Sequence, residues 1–375
     1  MMRKIFGTAA MLLISLQTLF AQTDSTKSVT ISGSVDGYYR YNFNNAGGVS
    51  NNKTSFTNSQ NSFALGMATI RADATALSGK VTATVDLGFG PRADEFSYNE
   101  TGLPSTTSGA SLKFVKQLYL TYNLSKNVKI TAGKFATHVG YEVMDAPLNR
   151  NYSMSYMFTN GPFSHTGVKF DFTAGQLGFM VGVANFIDQT VTSTSTKTLI
   201  AQVSGGSKDG KLKVYLNYAG FYGANEGITS TPLIPLKSFN QLDLVATGII
   251  SSKFNIGFNA TMQDRKQPDI PAGPSGTWYA AAVYLNVDPT PAVGLTLRSE
   301  LVSDSKFVLP GSFSGNGLDN KSIFANTLSL NYKVGPFTLI PELRFETAQS
   351  AIYTKNDGTS SSSTATALLA AVYKF

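Results

Sequence analysis

The chain is 375 residues long, carries a formal net charge of +7 and contains no cysteine. Disulfide frameworks, thiol catalysis and a lipidated N-terminal cysteine are therefore excluded. Its 30 Lys and Arg are scattered rather than clustered, so no nucleic-acid interface is expected, and only 14% of residues are charged, against roughly 25% in soluble domains.

The first predicted element is a leader over residues 1–21. Arg3 and Lys4 precede an apolar stretch from Ile5 to Leu16, and Ala21 offers a small residue for cleavage ahead of Gln22. That stretch is too short to span a membrane and reads as a secretory signal peptide. Removing Arg3 and Lys4 lowers the net charge from +7 to +5. Downstream of the leader no apolar run reaches the length of a transmembrane helix, about 18 residues.

From residue 22 onward the pattern alternates with period two. Val81, Ala83, Val85, Leu87 and Phe89 oppose Lys80, Thr82, Thr84 and Asp86; Phe254, Ile256, Phe258, Ala260 and Met262 oppose Asn255, Asn259, Thr261 and Gln263. Strands of this kind are predicted near 29–43, 63–77, 80–90, 112–124, 128–136, 165–173, 177–187 and 198–205. They continue near 211–222, 239–250, 254–263, 277–287, 293–302, 322–334, 337–346 and 365–375, about sixteen in all. In the second, the alternation changes phase around Thr69, as a β-bulge would make it.

The links between strands alternate short and long throughout. Short ones include "SG" (78–79), "SKN" (125–127) and "GP" (335–336); long ones include 44–62, 91–111, 137–164 and 347–364. This predicts an all-β fold: a transmembrane antiparallel up-and-down barrel, with short periplasmic turns and long extracellular loops. Lipid faces the apolar side of each strand, water the polar side, and closure leaves no unpaired edge. The last strand, "LLAAVYKF", must then pair with the first. Its Tyr373 and Phe375 belong to an interfacial aromatic girdle, with Tyr122, Tyr222 and Phe337 as other candidates, in contact with outer-membrane lipid and lipopolysaccharide. A strand ending in Phe also resembles the signal read by the bacterial outer-membrane assembly machinery.

Barrels of about sixteen strands leave an aqueous channel unless a loop fills it. The candidate is 137–164, which unlike the Ser/Thr-rich loops carries Tyr152, Met154, Tyr156, Met157, Phe158 and Phe163. Folded into the lumen, it would present Glu142, Asp145 and Arg150 to Arg40, Arg71, Arg298 and Arg344 on the polar strand faces, with Asp36 and Asp73 close by. An acidic loop opposite a basic wall sets a transverse field across a constriction. The alternative is that these charges pair simply to fix the loop.

"DLGFGP" (86–91), "GKF" (133–135), "GYE" (140–142) and "TGVKF" (166–170), ordered ahead of a final Phe, resemble the OmpL-like β-barrel porins of Bacteroidetes outer membranes. The resemblance implies a porin-type channel in the outer membrane, with no catalytic or ligand residues to carry over. The leading expectation is passive passage of small hydrophilic solutes, with a homotrimer as a plausible assembly. A sugar- or anion-specific channel is the alternative in the same class. Tyr38, Tyr119, Tyr215 and Trp278 are inward candidates for a sugar track. From another class, a plugged barrel would serve as a surface adhesin or scaffold.

An enzyme is not expected. The two histidines, His138 and His165, flank one loop, but adjacent strand residues Ser164 and His165 point to opposite faces. No GxSxG, HExxH or phosphate-binding glycine loop is present. No cofactor or metal is expected.

Overall fold

Strands of 8 to 15 residues are what alternating side chains produce when one face meets lipid and the other does not. The computed structural model describes residues 27–102, 112–192, 195–222, 236–266, 275–304 and 322–375. The leader expected over 1–21 lies outside them. The first part of the chain, to residue 221, supplies β1 (Ser28–Asn42), β2 (Ser62–Ala76), β3 (Val81–Phe89), β4 (Val115–Asn123), β5 (Val128–Ala136), β6 (Ser164–Ala174), β7 (Leu177–Ala184), β8 (Thr198–Gly206) and β9 (Leu212–Phe221). The second supplies β10 (Ser238–Ser251), β11 (Phe254–Lys266), β12 (Gly276–Thr290), β13 (Val293–Ser303), β14 (Ser322–Val334) and β15 (Phe337–Ala348). A two-residue ribbon, β16 (Tyr353–Thr354) with β17 (Ser360–Ser361), decorates the last long loop, and β18 (Ser363–Lys374) ends the chain.

Among the described residues, β1 to β15 and β18 form one closed antiparallel barrel, each strand pairing with its chain neighbours and β18 with β1. Closure runs from Ser34 opposite Lys374 to Asn42 opposite Thr366. The terminal residue completes it: Gly33 and Phe375 exchange both backbone hydrogen bonds at 3.0 Å. The Phe375 ring lies over Gly33, where a Cβ would sit 2.5 Å from the ring. Leu118, Leu120, Val181, Val183, Leu328 and Phe345 are exposed on the outside, as a lipid-facing surface requires. Tyr122, Tyr222, Phe337 and Phe375 are exposed at strand ends.

The phase change in β2 falls at Gly66–Met67 rather than at Thr69. Val35 faces Ala68 and Gly37 faces Leu65, so Asp36 is opposed by both Gly66 and Met67. Thr69 keeps regular register and accepts a hydrogen bond from Ser34 N at 2.9 Å.

Among the described residues, short α-helices sit in two of the long loops. α1 (Pro91–Phe96) begins with proline, whose missing N–H costs nothing at a helix start. α2 (Tyr156–Asn160) is capped by Ser155, whose Oγ accepts from Phe158 N at 3.1 Å.

Candidate functional site

The loop between β5 and β6 lies inside the barrel. Thr137 N donates to Phe163 O at 3.1 Å, closing its neck. Gly140, with φ +94°, turns the chain inward. Its N–H donates to Asp243 at 3.0 Å, and Tyr141 N donates to Asn259 at 3.2 Å. Tyr141 stacks on Tyr284 with ring centroids 4.0 Å apart. The chain then descends until Arg150 meets Asp288 at 2.7 Å, beside the short turn that joins β12 to β13. The loop therefore reaches from the long-loop rim to the short-turn rim.

An irregular segment in a lumen must find partners for its backbone N–H groups. The wall supplies carboxylates. Glu342 accepts from Tyr152 N at 2.9 Å, Glu300 from Tyr156 N at 2.9 Å, and the loop's own Glu142 from Ser155 N at 2.7 Å. Tyr156 OH donates to Glu346 at 2.7 Å and Tyr152 OH to Asp36 at 2.5 Å. Burial, with the Asp36 carboxylate adding to it, holds the Tyr152 phenol well above its ordinary pKa.

Glu142, Arg298 and Arg344 come together in one buried network. Arg298 pairs with Glu142 at 2.6 Å and Glu300 at 3.3 Å; Arg344 pairs with Glu300 at 3.1 Å and Glu346 at 2.9 Å. This corrects the picture of an acidic loop held across a gap from a basic wall: loop and wall touch here, and their charges neutralise one another. Buried charges so arranged lose their hydration, and only the full set of partners compensates.

The remaining predicted residues disperse. Asp145 pairs with Lys116 at 2.5 Å, and Arg150 with Asp288 near the far rim. Asp36 holds Tyr152, as described. Arg40 donates to the Ser50 and Ser59 carbonyls at 2.7 Å each, pinning the loop between β1 and β2 instead of the one between β5 and β6. Arg71 pairs with Asp73 at 2.7 Å on a wall the loop does not cover.

Several residues escaped the sequence reading. Glu300 and Glu346 share a strand face with Arg298 and Arg344, so parity alone could have found them. Lys116 could not be found that way. A register shift beside Asp86 leaves Gln117 paired with Asp86 and Val115 with Leu87, and this turns Lys116 inward onto Asp86 at 3.1 Å. Arg92 on α1 is fully buried between the rings of Phe56 and Tyr152, 5.0 and 4.8 Å from their centroids.

Loop packing seals one side of the lumen and not the other. Trp278, Thr296, Ile323, Asn331 and Ile340, which face inward from β12 to β15, are buried. Arg71, Asp73, Lys169 and Asp171, which face inward from β2 and β6, keep between 21% and 40% of their side-chain surface exposed. Of the inward tyrosine candidates, Tyr38 is buried like Trp278, whereas Tyr119 and Tyr215 stay partly open.

His138 and His165 do approach, their ring centroids 5.3 Å apart. Burial pushes the His138 imidazole down to about 4, and its Nε2 sits 3.0 Å from Tyr218 O. No group of three or more His, Cys, Asp or Glu among the described residues could hold a metal.

A closed sixteen-strand barrel with apolar exterior, polar interior and an inserted loop defines the chain as an outer-membrane channel of the porin class. The family model described as "Putative beta-barrel porin-2, OmpL-like" matches residues 28–375, and the chain belongs to that family. Its fold is similar to that of the outer-membrane channel DcaP of Acinetobacter baumannii, at 15% identity and a TM-score of 0.60 over 94% of this chain and 99% of that one. It is also similar to an anion-selective porin from Comamonas acidovorans, at 13% identity and a TM-score of 0.58 over 93% and 100%. OmpT of Vibrio cholerae in its trimer form matches at 13% identity and 0.59 over 94% and 100%. At such identities the likeness concerns the fold alone. No curated protein matches the chain.

Proposed function

We propose that this porin passes small hydrophilic solutes passively, through a passage that loop 137–164 narrows and displaces toward β2–β9. One observation carries the reading: inward Trp278, Thr296, Ile323, Asn331 and Ile340 of β12–β15 are buried under the loop, whereas Arg71 and Asp73 of β2 and Lys169 and Asp171 of β6 remain wet. Glu142, Arg298, Arg344 and Asp36 serve to anchor the loop, with Asp145 and Arg150 fixing its descent. Arg71 with Asp73 lines the passage. The chain is read as exported by a leader cleaved after Ala21, inserted by the outer-membrane assembly machinery through the β18 strand that ends in Tyr373 and Phe375, and assembled as a homotrimer like the trimeric OmpT form.

The test is planar-bilayer conductance of the refolded barrel, with a size series of neutral sugars. A step conductance that sugars reduce in order of size is expected. Substituting Glu142→Gln and Asp145→Asn together should raise it, because the loop loses two anchors. A second reading, a plugged barrel serving as a scaffold, draws on the packing near the long-loop rim, where Ile200, Ala219 and Val302 are buried. A folded barrel with no conductance would favour it over transport.

A further inference from the structure

The wet side of the lumen holds a cavity of about 370 Å³ between the neck of the inserted loop and the wall formed by β8–β10. That volume lies in the range of small-molecule sites, roughly 300–1,000 Å³. Its roof is fixed: Gly140 and Tyr141 hang on Asp243 and Asn259, and Tyr141 is clamped by its stack on Tyr284. The wall side presents Lys213 and Tyr215 from β9, Gln202 from β8 and Thr247 from β10.

The chemistry of this lining is uneven. Lys213 is exposed, and among the described residues no ion pair holds its ammonium. Asp243, which holds the roof, is buried behind amides, its oxygens taken by Gly140 N, Asn217 and Asn259. Gln202 donates to Asn217 at 2.7 Å, which leaves its carbonyl oxygen as an acceptor for a hydroxyl. Tyr141 and Tyr215 add flat, weakly polar surface of the kind against which the C–H face of a sugar ring packs.

We propose that this cavity is a solute subsite for a sugar acid. The carboxylate sits on Lys213, the ring hydroxyls meet Gln202 and Thr247, and the ring lies between Tyr141 and Tyr215. A neutral sugar lacks the charge, and a simple carboxylate lacks the ring. The proposal rests on the porin reading for its biological use, but binding itself is measurable apart from transport.

The test is calorimetric titration of the detergent-solubilised full barrel with D-glucuronate, D-glucose and acetate. Glucuronate should bind at least about tenfold more tightly than either of the others. Lys213→Gln should bring glucuronate to the glucose level, and Tyr215→Leu should weaken glucuronate and glucose while leaving acetate unchanged. Both variants are assayed on material that keeps the heat-modifiable gel mobility of a closed barrel. Equal binding of glucuronate and acetate, or an undiminished preference in Lys213→Gln, overturns the subsite. Conductance in potassium chloride separates the two claims. A conducting barrel blind to glucuronate removes the subsite alone, and a non-conducting barrel that binds it removes passive transport alone.

Discussion

Two walls of one barrel, built from the same alternating strands, meet the lumen in opposite ways. On β12–β15, Glu342, Glu300 and Glu346 point their oxygens at the loop and accept from Tyr152 N, Tyr156 N and Tyr156 OH in turn. On β2 and β6, Asp73 and Asp171 are held by Arg71 and Lys169 of their own strands. A loop without regular structure can dry a surface only where that surface satisfies its N–H groups. Carboxylates on both walls pair with cations of their own strands, but those of the first wall also accept from the loop, which seals it; Asp73 and Asp171 hold no loop donor, and water stays.

The largest effect expected from breaking this contrast comes from Arg298→Met. It takes from buried Glu142 the cation it pairs with and from Glu300 one of its two, leaving Arg344 to Glu300, at a cost of about 3–5 kcal/mol. Urea-unfolding midpoints should fall accordingly, and conductance should rise as the loop leaves β12–β15. An unchanged midpoint would mean that the network does not hold the sealed wall.

Next is Gly33→Val, which places branched carbons where the Phe375 ring lies, at about 1–3 kcal/mol for overpacking. The expected result is slower closure of β1 on β18, read as delayed appearance of the heat-modifiable band, with the open wall unaffected.

A third test concerns acid. Asp188, in the loop after β7, accepts from Phe163 N at 2.7 Å, Ser164 N at 2.8 Å and Tyr98 OH at 2.8 Å, and so ties the neck of the inserted loop to its neighbours. Burial pushes its carboxyl up to about 6 from 3.8. The folded state therefore binds the proton more tightly than the unfolded chain. Its stabilisation is fully present below about 4 and is lost as pH rises through about 6. Stability should increase on acidification from pH 7 to pH 5, and Asp188→Asn should remove this component. The same slope in wild type and variant would assign the effect elsewhere.

The smallest structural effect belongs to the wet wall. Arg71→Gln removes a half-exposed pair worth up to about 1 kcal/mol. Reversal potential in a salt gradient should shift toward cations while the unfolding midpoint barely moves. A large loss of stability there would erase the distinction between the walls.

The strands were legible because two solvents impose a period of two, and the links sorted themselves by length. Insertion of the loop was legible only as composition, in Tyr152, Met154, Tyr156, Met157 and Phe158. Alternation reveals which side chains face inward, but not at what height. Glu142 and Arg298 could be placed on facing surfaces, yet not in contact. Lys116 shows the deeper limit: by the alternation of Leu118 and Leu120 it belongs in lipid, and only the register shift beside Asp86 brings it inside.

Trp278 is the only tryptophan in the chain. It is fully buried against Tyr156 and Met157 of the inserted loop, and its indole N–H donates to Gln263 at 2.9 Å. Its emission therefore reports on a single place, the contact between loop and wall. A red shift that precedes the loss of β-sheet circular dichroism would record the loop leaving an intact barrel, with no label attached.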